Sequence, residues 1–167
     1  KRHDEYGESS SRCDAARTKN DPMSSIYLPD QVLWLVGAGN LGARIGQIWR
    51  ARFPRGLVMA ETQSTLRHSD LKDLGLKPFT ASERPPAAPS HCVVAVPPQG
   101  LPDNGSMYEL EMRLKKFLPP AAPLVWISSI AVYSEEAGGE VTEDAEVGRT
   151  PRAVHLLALE RLAQRAH

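Results

Sequence analysis

The sequence predicts an α/β fold, a doubly wound parallel sheet in three layers. Apolar, strand-like runs alternate with helix-like segments along most of the chain, a pattern that implies a mostly parallel sheet with helices on both faces. The stretch Gly37-Ala38-Gly39-Asn40-Leu41-Gly42 also falls directly between an apolar run and a helical pattern. In that setting a Gly-x-Gly-x-x-Gly turn has a physical job. The first glycine makes the tight turn, the second lets a backbone approach a pyrophosphate, and the third lets helix and strand pack closely. The helix N-terminus adds amide donors and the positive end of the helix dipole.

The elements follow in order. Val32 to Val36 is continuously apolar, as for a strand buried on both faces. Leu41, Ile45, Ile48 and Trp49 then recur at helical spacing, and Pro54 marks the exit. Leu57 to Ala60 reads as a second strand. Leu66, Leu71 and Leu74 suggest a short helix closed by Gly75, a favourable residue after a helix C-terminus. Lys77 to Thr80 is a weakly signalled third strand, and the proline-rich Arg84 to Pro89 is a loop. Cys92 to Val96 is a fourth strand stopped by Pro97-Pro98. Ser106-Met107-Tyr108-Glu109 has the form of a capping box, and Met107, Leu110, Leu114 and Phe117 continue at helical spacing to Pro119-Pro120. Pro123 to Ser128 is a fifth strand, and a polar loop runs from about Glu135 to Gly148. Thr150-Pro151 then offers an N-cap with proline at the first helical position, before Leu156, Leu157, Leu159 and Leu162. Right-handed crossovers place the first and fourth strands side by side, with the second and third beyond the first. The glycine turn then opens at the switch point where ligands collect.

The 167 residues suit one domain of ordinary size, with 41% hydrophobic residues to build a core. Lysine and arginine number 20, as do aspartate and glutamate, so no broad attraction to nucleic acid or an anionic membrane is implied. No apolar run approaches the ~20 residues that span a bilayer. Cys13 and Cys92 sit far apart, with no disulfide framework or metal-ligand spacing, which fits a reducing compartment. The expected setting is a soluble protein of the cytoplasm, taken as the default. The oligomeric state is not legible.

Residues 1–22 are polar and charged, with almost nothing apolar to bury, and predict a disordered tail. They lack the apolar core of a signal peptide, and their acidic residues argue against a transit peptide. Met23 follows directly. It is either the natural start after a foreign segment, or an internal residue after a genuine extension. Residues 23–167 form the predicted nucleotide-binding domain.

The candidate cofactor residues begin with Gly37, Gly39, Asn40, Leu41 and Gly42. An acidic residue about 20 positions past the glycines commonly accepts from the adenine ribose hydroxyls, and Glu61 occupies such a place. Its charge would favour NAD by repelling a 2′-phosphate. Gln63, Ser64, Thr65 and Arg67 complicate the choice, because they would suit a 2′-phosphate with Arg67 as counter-charge. The cofactor is therefore NAD or NADP, leaning slightly to NAD. Ala95, Val96 and Pro97 end the fourth strand at the same sheet edge, where they would line the path of the ribose and nicotinamide. Proline at that point also terminates a strand without any ligand. His68, His91 and His155 read as loop or helix-face residues.

Ser128-Ser129-Ile130-Ala131-Val132-Tyr133 resembles the Ser-Ser-x-x-Val-Tyr segment of extended short-chain dehydrogenases/reductases, the family of NAD-dependent sugar epimerases and dehydratases. Val141-Thr142-Glu143-Asp144 is similar to the loop that precedes the family's catalytic helix. Leu71, Leu74-Gly75 and Pro78, with Thr150-Pro151-Arg152, are similar to an atypical branch. The resemblance covers the chain from about Gln31 to its end. It implies a Rossmann-like cofactor domain and assigns Ser129 as the serine that hydrogen-bonds substrate. It also implies a C-terminal substrate domain that this sequence would lack. The family's tyrosine, a general acid/base, and the lysine four residues later fall on Arg152 and Leu156, neither of which can substitute. Tyr133 matches a tyrosine outside that pair.

The resemblance implies an oxidoreductase or epimerase-like enzyme with unusual catalytic residues. A non-catalytic dinucleotide sensor, or a protein supporting a complex, stands beside that reading because the tyrosine and lysine are missing. The glycine spacing also suits the cofactor domain of a hydroxyacid or prephenate type of dehydrogenase, since extended members often space their glycines Gly-x-x-Gly-x-x-Gly.

Overall fold

A computed structural model describes residues 31–135 and 137–166. The expectations for residues 1–22 and for a start at Met23 lie outside the described residues. The chain order is β1 (Val32–Val36), α1 (Asn40–Arg52), β2 (Leu57–Thr62), α2 (His68–Asp73), β3 (Lys77–Thr80), β4 (His91–Val94), α3 (Asn104–Phe117), β5 (Leu124–Trp126) and α4 (Pro151–Ala166). The five strands are parallel in the order β3-β2-β1-β4-β5. This is the predicted α/β arrangement, with the predicted strand order, and its form is Rossmann-like.

Strand parity divides the core into two apolar layers. Leu33 and Leu35 of β1, with Val58 and Ala60 of β2, pack against Ala43 of α1 and Leu71 of α2. Val32, Trp34 and Val36, with Met59 and Val94, pack against Leu110 and Leu114 of α3 and Leu159 and Leu162 of α4. β1 is buried on both faces because each face meets a helical layer.

Helix α1 packs inward through only part of its large apolar set: Ile45 and Trp49 are half-buried against the core. Leu41 and Ile48 are more than half exposed, while Gly42, Ala43 and Gly46 are buried. A Cβ on Gly46 would lie 3.0 Å from Leu76 Cδ1 and 3.3 Å from Val58 Cγ1, so small residues set how closely the helix lies on the sheet. Helix α3 starts earlier than the Ser106 cap implied. Asp103 is the N-cap, and its carboxylate accepts from the Ser106 amide at 2.8 Å. Ser106 is the reciprocal member of that box, because Asp103 precedes it at the N3 spacing.

The segment before β3 opens with a 3₁₀ turn at Thr65–Arg67, and Leu66 points to solvent rather than to the core. Gly75 closes it with φ +74°. Strand β2 runs on to Thr62, whereas β4 and β5 are shorter than their apolar runs. Beyond them Ala95 still donates to Val36 O and Ile127 to Val94 O, both near 2.9 Å, so chain direction persists after the ladder stops. Thr150 caps α4 by accepting from the Ala153 amide at 3.2 Å.

Candidate functional site

The three motif glycines differ in what surrounds them. Gly37 has φ +88°, and a Cβ there would lie 2.9 Å from the Ala95 carbonyl oxygen. Gly42 lies so near the turn that a Cβ would overlap the Gly37 carbonyl oxygen and sit 3.2 Å from its carbon. At Gly39 a Cβ would meet nothing within 4 Å, although the backbone there (φ −69°) accepts any L residue. Folding demands glycine at the first and third positions. At the second it leaves open space, directly before the first turn of α1. No side chain caps that turn, so its amides are free to meet a ligand. Gly37 and Ala38 hold the turn to β2 by donating to Glu61 O at 3.2 and 2.9 Å.

Two cavities flank the turn and share Gly39, Val96 and Pro97. The larger, about 570 Å³, spreads over the β2 and β3 side and is lined by Glu61, Gln63, Ser64, Arg67, Ser82 and Arg113 among others. The smaller, about 330 Å³, lies over β4 and β5 and reaches Asn40, Leu41, Gly42, Ala95, Ser128, Ser129 and Leu156. An elongated ligand crossing the glycine turn would have one end in each.

Glu61 stands at the end of β2 where the spacing puts it, but it is only 4% exposed. Register explains the burial: Glu61 pairs with Val36, on the same sheet face as Trp34 and Met59. Its Oε2 accepts from Trp34 Nε1 at 2.9 Å and from the Arg113 guanidinium at 2.7 Å. Arg113 also lies 5.8 Å from the ring centroids of both Trp34 and Phe117, a cation–π arrangement. Sequence reasoning missed Arg113. The available signal was an arginine set between Leu110 and Leu114, on the helix face otherwise given to core.

Arg67 reaches back over the glycine turn and donates to Asn40 Oδ1 at 3.3 Å. Ala95, Val96 and Pro97, which follow β4, line the smaller cavity. Ser129 lines it too, while its hydroxyl oxygen caps a 3₁₀ turn by accepting from the Ala131 amide at 3.3 Å. The neighbouring Ser128 hydroxyl donates to Glu160 of α4. Leu156, where the resemblance noted in the sequence would put a lysine, is buried and forms part of the cavity wall, whereas Arg152 is exposed. His155 lies within 3.3 Å of Pro98 O and ties α4 to the turn between the cavities.

Among the described residues no cluster of His, Cys, Asp and Glu has a metal-binding arrangement. No helix among them is long and apolar enough to cross a membrane.

No protein-family model matches the chain, and no curated protein matches it. Solved structures do. One is described as a functionally unknown conserved protein from Silicibacter pomeroyi, with TM-score 0.67 and 16% identity over 81% of this chain and 48% of its own. Another is described as a short chain alcohol dehydrogenase from E. coli complexed with cofactor NADH, with TM-score 0.45 and 19% identity over 80% of this chain and 41% of its own. The first likeness shows the fold alone, and the second superposes too loosely to add to it. The chain spans about half the length, or less, of these matched structures.

Proposed function

We propose that this chain is the NAD- or NADP-binding part of an atypical short-chain dehydrogenase/reductase or sugar epimerase-like protein. The observation that carries the reading is the open space at Gly39. A glycine where the fold itself would accept a side chain, placed before an uncapped helix and between two cavities, suits a pyrophosphate. Gly37, Gly39, Asn40, Leu41 and Gly42 would hold that group. The larger cavity would take the adenosine end and the smaller, with Ala95, Val96 and Pro97, the nicotinamide end. A nicotinamide bound there would supply a hydride acceptor or donor. Ser129 would meet the substrate, since its O–H proton is not used in capping the turn.

A second reading has its own observation. Leu156 fills the cavity wall where the resembling family keeps a lysine, and Arg152 stands outside the cavity. Neither moves a proton at neutral pH, which favours a dinucleotide-binding protein that senses or supports rather than catalyses.

Titration with NADH and NADPH tests both. Trp126 lines the smaller cavity, so bound reduced cofactor should quench its emission and gain fluorescence itself. Absence of binding at millimolar cofactor would refute both readings. Turnover of bound cofactor with a carbonyl or nucleotide-sugar substrate would select the enzyme, and binding without turnover the sensor.

A further inference from the structure

We infer that the larger cavity selects a dinucleotide carrying a 2′-phosphate, and that Arg67 with Ser64 makes the choice rather than Glu61. This inference rests on the dinucleotide reading above. An acid selects against a 2′-phosphate only if its charge is unopposed where the ribose sits. Glu61 is 4% exposed, and its charge is opposed by Arg113 at 2.7 Å. Trp34 Nε1 holds the same oxygen, Oε2, so that oxygen is committed to the core face, while Oε1 has no hydrogen-bond partner among the described residues. The guanidinium 2.7 Å away neutralises the carboxylate, so the pair together presents little net charge to a ligand in the cavity.

The cations divide the other way. Arg113 is ion-paired with Glu61 and donates to Glu83 O, with only its buried Nε left unpartnered, whereas Arg67 has a neutral partner, the Asn40 side chain, and no described carboxylate within ion-pair distance. Arginine carries five N–H donors in a planar fork, and the Asn40 contact uses one of them. Ser64 lines the same corner, and its hydroxyl has no hydrogen-bond partner among the described residues. The remaining acid of the lining, Glu109, comes from α3, whereas Ser64 and Arg67 follow β2 beside the glycine turn. The corner beside the turn therefore offers an unpaired guanidinium and a free hydroxyl, the donor set that a phosphate monoester takes.

The full chain should be titrated with NADPH, NADH, 2′,5′-ADP and 5′-ADP. NADPH should bind tighter than NADH by roughly tenfold or more, the scale of one charge-assisted contact, and 2′,5′-ADP should outbind 5′-ADP in the same sense. Arg67→Ala should bring both ratios close to one, and Arg67→Lys should keep part of them. Arg67 is a partly exposed residue at the end of the 3₁₀ turn before α2, and circular dichroism will verify that both variants are folded. Equal binding of the two dinucleotides, a preference for NADH, or an unchanged ratio in Arg67→Ala would overturn this inference and leave the dinucleotide reading intact. Failure of every probe to bind would overturn both.

Discussion

Replacing Gly39 and Gly42 separately should split binding from folding. In Gly42→Ala the new methyl would overlap a backbone oxygen and lie 3.2 Å from a backbone carbon of Gly37. Relief needs a shift of roughly 1 Å to reach ordinary contact near 3.5–4.0 Å. Neither partner can give cheaply. Gly37 is fixed by its φ of +88° and by its bond to Glu61 O, and α1 is seated on Leu76 and Val58 at Gly46. Lifting the helix would open the layer beneath it. We expect a loss of about 3 kcal/mol, at the upper end for overpacking. With a urea slope of roughly 1–3 kcal/mol/M, that lowers the midpoint by about 1–3 M. Gly39→Ala meets no atom within 4 Å and keeps an allowed backbone, so it should cost no more than about 1 kcal/mol, the difference between glycine and alanine at an N-cap. Gly39→Val should stay folded and lose dinucleotide binding by tenfold or more, since its branched side chain would fill the space assigned to the pyrophosphate. Urea melts followed by circular dichroism, with cofactor titrations on the folded variants, check both halves. Wild-type affinity in Gly39→Val would refute the placement of the pyrophosphate. Wild-type stability in Gly42→Ala would refute the close seating of α1.

Arg113→Met should destabilise the chain by about 3 kcal/mol, because it strands a buried carboxylate, and adding Glu61→Gln should recover most of the loss in the same melts. The Ser106 amide and hydroxyl hold the Asp103 carboxyl below its ordinary value, so the cap stabilises α3 above about pH 4 and is lost as acid titrates through the lower folded-state value. Asp103→Asn should therefore flatten the acid limb of a stability–pH curve, and an unchanged limb would discount the cap. Burial, with a smaller contribution from Glu61, pushes the Cys92 thiol up, so a thiol reagent should label it only when the chain is unfolded. Rapid labelling of Cys92 under native conditions would contradict its place in the core.

What the sequence made legible were features fixed by local constraint. A continuously apolar run flanked by turns reads as a strand whatever lies around it, and β1 matches its predicted limits. The Thr150-Pro151 start of α4 is similarly local. Helix faces were less legible. Residue size suggested that Leu41 and Ile48 would be buried in α1, but the sheet lies too close for them and accepts Gly42, Ala43 and Gly46 instead. Hydropathy measures the gain from burying a side chain and says nothing of the gap available to receive it. The Asp103 cap was missed for a related reason, since Ser106 satisfies the same local pattern one turn later.

The candidate site divides along the same line. Much of the glycine motif's geometry is local, because the positive φ of Gly37 and the clash of Gly42 with Gly37 act within a few residues, although Gly37 also abuts Ala95 of the neighbouring strand's exit. The role of Glu61 depends on a nonlocal fact. Its distance past the glycines places it at the end of β2, but the two-residue period of a strand decides which sheet face receives the carboxylate. That parity puts it with Trp34, and its counter-charge arrives from Arg113, 52 residues away. Spacing to a motif can therefore locate an acid at the correct sheet edge without revealing its partners within the protein. The two α4 positions singled out by the resemblance show the converse. Arg152 and Leu156 can be read from sequence as departures, yet only the fold shows that Leu156 belongs to both the α4 core face and the cavity wall. A lysine at this position would set an ammonium in a wall shared with Leu159 and Trp126, which line the same cavity, so the packing at this end of the site disfavours a cation at position 156.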